Sequence, residues 1–454
     1  MKGKQYELDM RSGSLAGKIL VFAFPLMLSG MLQLLFNAAD VVVVGRYCGK
    51  ESLAAVGSTT SLINLFINLF VGLSVGANVV VAQDLGAGRE KEANRAVHST
   101  ILIALVSGIV LLTVGQLIGR QMLEWMDSPA SVIDLASLYI KVYFLGMPAT
   151  MVYNFGAAIL RAKGDTKRPL YYLTFAGVVN VVLNLFFIVV CHWDVAGVAA
   201  ATGIAQYISA GLVLRCLMRE EGVLHLNLRE LRFDRQVLSR VVRVGLPAGL
   251  QGVIFSLSNV VIQSAINSFG DVAVAGSSAA GSLEGFVYVG MNAFYQAAIT
   301  FVGQNYGAGK CDRVDRAAVW CVSYAALTGL VLGNLAYIFG PQLIGIYSPG
   351  EPDVVAAGMI RMGIIGRFYM LAGIMETCGG VLRGLGRSMM PMVCTLLGSC
   401  LLRLIWVAAV FPAFNTLGML FLSYPITWII TASAHITIFF MVRKKSYRMV
   451  GYKI

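Results

Sequence analysis

Three of the 23 acidic residues, Asp40, Glu284 and Glu376, stand inside long apolar runs, whereas the other 20 fall in polar stretches or tails. A carboxylate at the depth of a bilayer costs at least ~2.5–3.5 kcal/mol on insertion scales, so each needs a partner, water or a chemical task. Asp40 keeps the most informative company. Ser29, Gln33, Asn37 and Asp40 follow one another at spacings of four, four and three, which places them on one face of a helix. Asn180 and Asn184 share a face in the same way, and so do Thr202 and Gln206. Such a face lines a cavity or another helix rather than lipid. By the ~1.5 Å rise per residue, Asp40, Asn184 and Thr202 fall at similar depth in their runs. Oxygen-bearing groups at one level suit a hard cation such as Na⁺, and a buried carboxylate among them suits a proton. Amides and hydroxyls also serve simply to tie helices together by hydrogen bonds.

The second half carries stripes of its own. One run holds Gln251, then Asn259, Gln263 and Asn267 at four-residue spacing; the next holds Glu284, Tyr288, Asn292 and Gln296 on one face. Arg367 and Arg403 are cations within runs, available to neutralise Glu284 or Glu376. Gln33, Gln206, Gln251, Asn259, Gln263, Glu284, Tyr288, Asn292, Arg367, Glu376 and Arg403 are therefore the candidates for lining a substrate cavity. Aromatic residues (10%) and 20 methionines supply material for an adaptable apolar pocket able to hold a lipophilic cation by cation–π contact.

Other chemistries find little support. His98, His192, His225 and His435 form no cluster, and the eight cysteines show no C-x-x-C and no metal-ligand spacing. The Gly-Ala-Gly segments at 86–88 and 307–309 lack the Gly-Lys-Ser/Thr of a phosphate loop. No catalysis is expected, and no cofactor or metal beyond a coupling H⁺ or Na⁺.

The elements that position these residues must be membrane helices. The chain is 57% hydrophobic and 13% charged, with a mean hydropathy of +0.75. That is more apolar surface than a soluble core buries. About twelve runs approach the ~20 residues needed to cross hydrocarbon. They lie near 18–44, 57–82, 97–118, 135–160, 170–190, 196–218, 243–268, 275–302, 317–339, 355–382, 391–411 and 417–442. The first run is too long for a signal-peptide core. The net charge of +12 raises the question of nucleic acid, but 28 of the 35 Lys and Arg fall in, or within a few residues of, the termini and even-numbered loops. That asymmetry is the positive-inside rule, so both termini are expected to be cytoplasmic and the basic excess to meet lipid headgroups rather than nucleic acid.

The chain also contains one half twice. Gln83-Asp84-Leu85-Gly86-Ala87-Gly88 answers to Gln304-Asn305-Tyr306-Gly307-Ala308-Gly309, and Leu160-Arg161-Ala162-Lys163-Gly164 to Leu382-Arg383-Gly384-Leu385-Gly386. Pro25 and Pro169 answer to Pro247 and Pro391. Six runs per half is even, so the repeats are parallel. The expected organisation is an all-α integral membrane protein of twelve transmembrane helices in two six-helix lobes, 1–218 and 243–454, joined by a polar connector at 219–242.

At these residues the chain resembles the multidrug and toxic-compound extrusion (MATE) family of cation-coupled antiporters. The resemblance rests on Pro25, Asn37-Ala-Ala-Asp40-Val-Val-Val-Val-Gly45, the paired Gln-x-x-Gly-Ala-Gly and Leu-Arg-x-x-Gly turns, and Asn180-Val-Val-Leu-Asn184. It covers essentially the whole chain. It implies a V-shaped pair of bundles and export of drugs or metabolites driven by Na⁺ or H⁺. It also implies that Asp40 is the coupling carboxylate, with Asn37 on its segment and Asn180, Asn184 and Thr202 as neighbours in the cation site. Many members carry a second acidic residue where this chain has Asn184; its loss argues against a two-carboxylate proton network and would weaken a Na⁺ site or leave one carboxylate to do the coupling.

The expected activity is secondary active efflux of organic cations, drugs or amphipathic metabolites by a protein of the bacterial cytoplasmic membrane, working as a monomer. The alternative is a flippase for lipid-linked oligosaccharide, which should line its cavity with several cations to hold a pyrophosphate.

Overall fold

The computed structural model describes residues 6–126, 129 and 131–451. Among these residues there is no strand. The first half runs α1 (Leu15–Tyr47), α2 (Lys50–Gly86), α3 (Glu90–Trp125), α4 (Ile133–Phe144), α5 (Met147–Lys163), α6 (Lys167–Leu185) and α7 (Asp194–Arg219). The second runs α8 (Arg235–Asn267), α9 (Asp271–Gly307), α10 (Cys311–Ile338), α11 (Gly340–Tyr347), α12 (Pro352–Arg361) and α13 (Tyr369–Gly384). It ends with α14 (Met389–Thr395), α15 (Leu402–Ile405), α16 (Phe411–Phe414) and α17 (Leu417–Met449). Ten helices are long and apolar enough to cross a bilayer, the stretch Met389–Phe414 counting as one. Two further spans are bent pairs, α4 with α5 at 48° and α12 with α13 at 45°. With each bent pair counted as one span, the described residues hold the twelve expected spans.

The duplication is visible in local geometry. α2 and α9 each have 37 residues, or about 55 Å of helix. Each starts after a glycine with positive φ, Gly49 at 90° and Gly270 at 87°. Each ends on the Gly-Ala-Gly segment by the same hydrogen bonds: Ala87 N–H to the Gln83 carbonyl at 2.9 Å and Ala308 N–H to the Gln304 carbonyl at 3.0 Å. Gly88 and Gly309 then turn the chain at φ +68°, a conformation glycine adopts without penalty. The motif is a helix terminator.

The chain packs as two compact units. One holds the residues through Asp9 together with Leu28–Gly249; the second holds Met10–Met27 and the chain from Leu250 onward. The sequence-based division at 218 and 243 needs correction on this point, because α1 and α8 each change unit two residues after an internal proline, Pro25 and Pro247. In the second unit Phe22 sits edge-on to Phe301 at 5.5 Å, and Asn305 donates to the Met10 carbonyl at 3.2 Å. Residues 219–242 are no free connector. Asn94 donates to the carbonyls of Val223 and His225 at 2.9 and 3.0 Å, and Arg240 binds both oxygens of Asp84 at 2.8 and 3.0 Å. Glu220, just past α7, takes Lys163 at 2.9 Å and Arg168 at 2.7 Å. Burial opposes its ionisation, but hydrogen bonds from Arg168 and Lys163 outweigh it and hold the carboxyl below the usual range.

α2 and α8 cross backbone to backbone within the first unit. A Cβ on Gly72 would lie 2.2 Å from the Gly249 nitrogen, and one on Gly249 would lie 2.2 Å from the Leu69 carbonyl oxygen. Gly76 and Gly245 extend the contact one turn away, giving a small-xxx-small seam on each helix. Gly249→Val is therefore expected to destabilise the protein by about 3 kcal/mol or more. Gly211→Ala, with nothing within 4 Å of the added methyl, should leave stability unchanged. Thermal unfolding of detergent-solubilised protein checks this, and equal midpoints for the two variants would contradict the crossing.

Candidate functional site

Asp40 lies two turns before the end of α1, opposite α6. One turn earlier, Phe36 meets Gly177 so closely that a Cβ on the glycine would fall 1.9 Å from the ring. That approach is possible only without a side chain, and it brings the next turn of α1 against Asn180. Asn180 Nδ2 donates to Asp40 Oδ1 at 3.0 Å, and Asn184 Nδ2 donates to the same oxygen. Thr202, on α7, donates to Asn180 Oδ1 at 3.4 Å. Asn180 and Asn184 are buried at 6% and 1% exposure, and Asp40 and Thr202 are half-buried.

The polarity of this network matters. Both amides turn their N–H groups toward the carboxylate. Their carbonyl oxygens are thereby left for other partners. That of Asn180 accepts from Thr202, whereas Asn184 Oδ1 is buried with no partner among the described residues. A buried acceptor without a donor carries a desolvation penalty of about 1–3 kcal/mol, and a cation beside the carboxylate would remove it. Directly after Asn184 the helix widens into a π turn at Phe186–Val190, a rare conformation concentrated at functional sites. Gln33 and Asn37, on the same stripe of α1, are exposed and stand outside this network, and half-buried Gln206 does too.

The polar residues of the second unit are arranged otherwise than the sequence led us to expect. Glu284 is buried at 5% exposure and pairs with Arg361, not with Arg367 or Arg403. Arg361 Nε and Nη2 meet the two carboxylate oxygens at 2.9 and 2.7 Å, and Nη1 donates to Ser277 at 2.8 Å. Arg367 is exposed and lies over the Tyr337 ring at 5.2 Å. Among the described residues neither it nor Arg403 lies within 4.0 Å of a carboxylate, and half-buried Glu376 has no ion-pair partner. Six residues separate Arg361 from Arg367, which puts the two on different helix faces even without the π turn at Met362–Gly366, and it is Arg361 that meets Glu284.

Gln251 accepts from buried Arg383 at 2.6 Å, and Arg383 also donates to the Tyr295 hydroxyl. Asn292 donates to the Tyr288 hydroxyl at 3.4 Å and Gln263 to Asn267 at 3.0 Å, while Asn259 is exposed. Sequence reasoning missed Arg361 and Arg383. Arg383 had a signal, since it stands in the repeated Leu-Arg turn together with Arg161.

A duplicated helical membrane chain, with a carboxylate held by amides inside one half, has the architecture of a membrane transporter. The MatE family model matches it twice, over residues 25–186 and 247–409, and the chain belongs to the multidrug and toxic-compound extrusion (MATE) family. It is 28% identical over 395 residues to the probable multidrug resistance protein YpnP of Bacillus subtilis (strain 168), spanning 87% of this chain and 88% of that one. It is 25% identical over 408 residues to the probable multidrug resistance protein NorM of Thermotoga maritima, spanning 89% and 87%. A solved multidrug resistance MATE transporter in an outward-facing conformation matches the fold with a TM-score of 0.89, at 24% identity over 99% of both chains.

Proposed function

We propose that this transporter is a secondary active exporter of organic cations, drugs or amphipathic metabolites, driven by H⁺ or Na⁺ entering at Asp40. The observation that carries the reading is the half-buried Asp40 carboxylate with two amide donors on one oxygen, beside the buried, unpartnered Asn184 Oδ1. Asp40, Asn180, Asn184 and Thr202 would hold Na⁺; a proton would need Asp40 alone. Coupling requires that cation and substrate favour different states or exclude one another, because equal affinity for both states shifts nothing. The surroundings we assign are the bacterial cytoplasmic membrane, with both termini cytoplasmic and the protein monomeric.

A lipid-linked sugar flippase fits less well. Arg361 is neutralised by Glu284 and Arg383 is bound to Tyr295 and Gln251, so Arg403 is left as the one buried arginine of these three without such partners for a pyrophosphate. Counterflow in proteoliposomes tests the proposal. A fluorescent cationic dye should move against an imposed Na⁺ or H⁺ gradient, and the ion that drives it is the coupling ion. Dye flux indifferent to both gradients would overturn the reading.

A further inference from the structure

Arg403 has no exposed surface. Its Nη2 donates to Thr427 at 3.3 Å, but Nε and Nη1 are buried with no hydrogen-bond partner among the described residues. The Tyr424 ring lies 4.0 Å from the guanidinium carbon and the Phe255 ring 5.5 Å from it. A ring at stacking distance covers the face of a guanidinium, whereas the N–H donors point outward in its plane, so stacking leaves them unmet. A guanidinium does not escape by losing its proton. No carboxylate lies within 4.0 Å of Arg403 among the described residues, and both oxygens of Glu284 are taken by Arg361. One positive charge without an ion-pair partner and two donor positions without hydrogen bonds are thus held inside an apolar bundle.

The backbone gives an independent pointer. Arg403 stands in the four-residue segment α15, between π turns at Leu396–Leu401 and Trp406–Val410. A third π turn follows Arg361 directly. Such turns are rare and cluster at functional sites. Among the described residues, the remaining one adjoins Asn184, in the site around Asp40.

We infer that Arg403 is the receptor for one small, singly charged anion, a halide ion or a carboxylate group, accepting hydrogen bonds from Nε and Nη1. A single uncompensated charge matches a single negative charge. The second charge of a phosphate ester would find no counterpart among Tyr424, Phe255 and Thr427. The inference is independent of the cation coupling proposed for Asp40.

The test uses full-length purified protein in a buffer whose only anion is a bulky sulfonate, at constant ionic strength. Chloride and acetate are titrated separately, with the thermal unfolding midpoint and tryptophan emission as readouts. Wild type should show a saturable shift with at least one of them, which tells a halide site from a carboxylate site. Arg403→Gln should weaken the response at least tenfold, Arg403→Lys should retain part of it, and Asp40→Asn should respond as wild type does. If Arg403→Gln does not fold, Thr427→Val, which frees Nη2 while keeping the charge, should still shift the half-saturation concentration. No saturable response from wild type to either anion would overturn the inference, as would an unchanged response from Arg403→Gln.

Discussion

Asp40→Asn is expected to reduce gradient-driven export strongly while leaving a folded protein. Asparagine keeps one carbonyl oxygen in the place where Asp40 Oδ1 accepts from Asn180 and Asn184, so the links between α1 and α6 survive. The charge that a proton or Na⁺ would neutralise is gone. Coupling energies between two ligand sites are typically 1–3 kcal/mol, so coupled flux should fall by about 5–150-fold. Stability should hold or rise slightly, because a half-buried charge has been removed from the membrane interior. Transport assays paired with unfolding midpoints separate the two effects. A variant that exports as well as wild type removes Asp40 from the mechanism, and one that merely unfolds would show that the carboxylate is structural.

Breaking the Glu284–Arg361 pair should bring the largest loss of stability. Removing one partner of a buried ion pair costs about 3–5 kcal/mol, because the other charge is left uncompensated. The two single variants should differ. A carboxyl left alone can take up a proton and become neutral, but a guanidinium cannot. Glu284→Leu is therefore expected to be worse than Arg361→Met, and the double variant should recover most of the loss. Ser277, which accepts from Arg361, adds a smaller share. Unfolding of the three variants in detergent checks the order; additive losses would mean that the pair contributes little by itself.

The two sites were legible in the sequence to different degrees, for a physical reason. Asp40, Asn180, Asn184 and Thr202 sit where α-helical periodicity holds without interruption, so face and depth followed from spacing alone. The amide polarity and the unpartnered Asn184 oxygen did not, since they depend on side-chain rotation. In the second half, the periodicity breaks at the π turns beginning at Met362, Leu396 and Trp406. Arg367 and Arg403, available from the sequence to Glu284 or Glu376, pair with neither among the described residues, and Arg361, near the start of its run, was passed over, because which side chains meet depends on rotation and packing that spacing does not fix. The unit exchange after Pro25 and Pro247 was equally hidden, because it depends on packing against distant helices rather than on local pattern.

The most direct test of the account is cation release by the purified protein. On addition of a transported dye, protein preloaded with Na⁺ or with protons should release its coupling cation in proportion to the dye bound, and Asp40→Asn should bind dye with no release. Dye binding without release of either cation from the wild-type protein, or equal release from Asp40→Asn, would contradict the claim that substrate and cation are exchanged through this carboxylate.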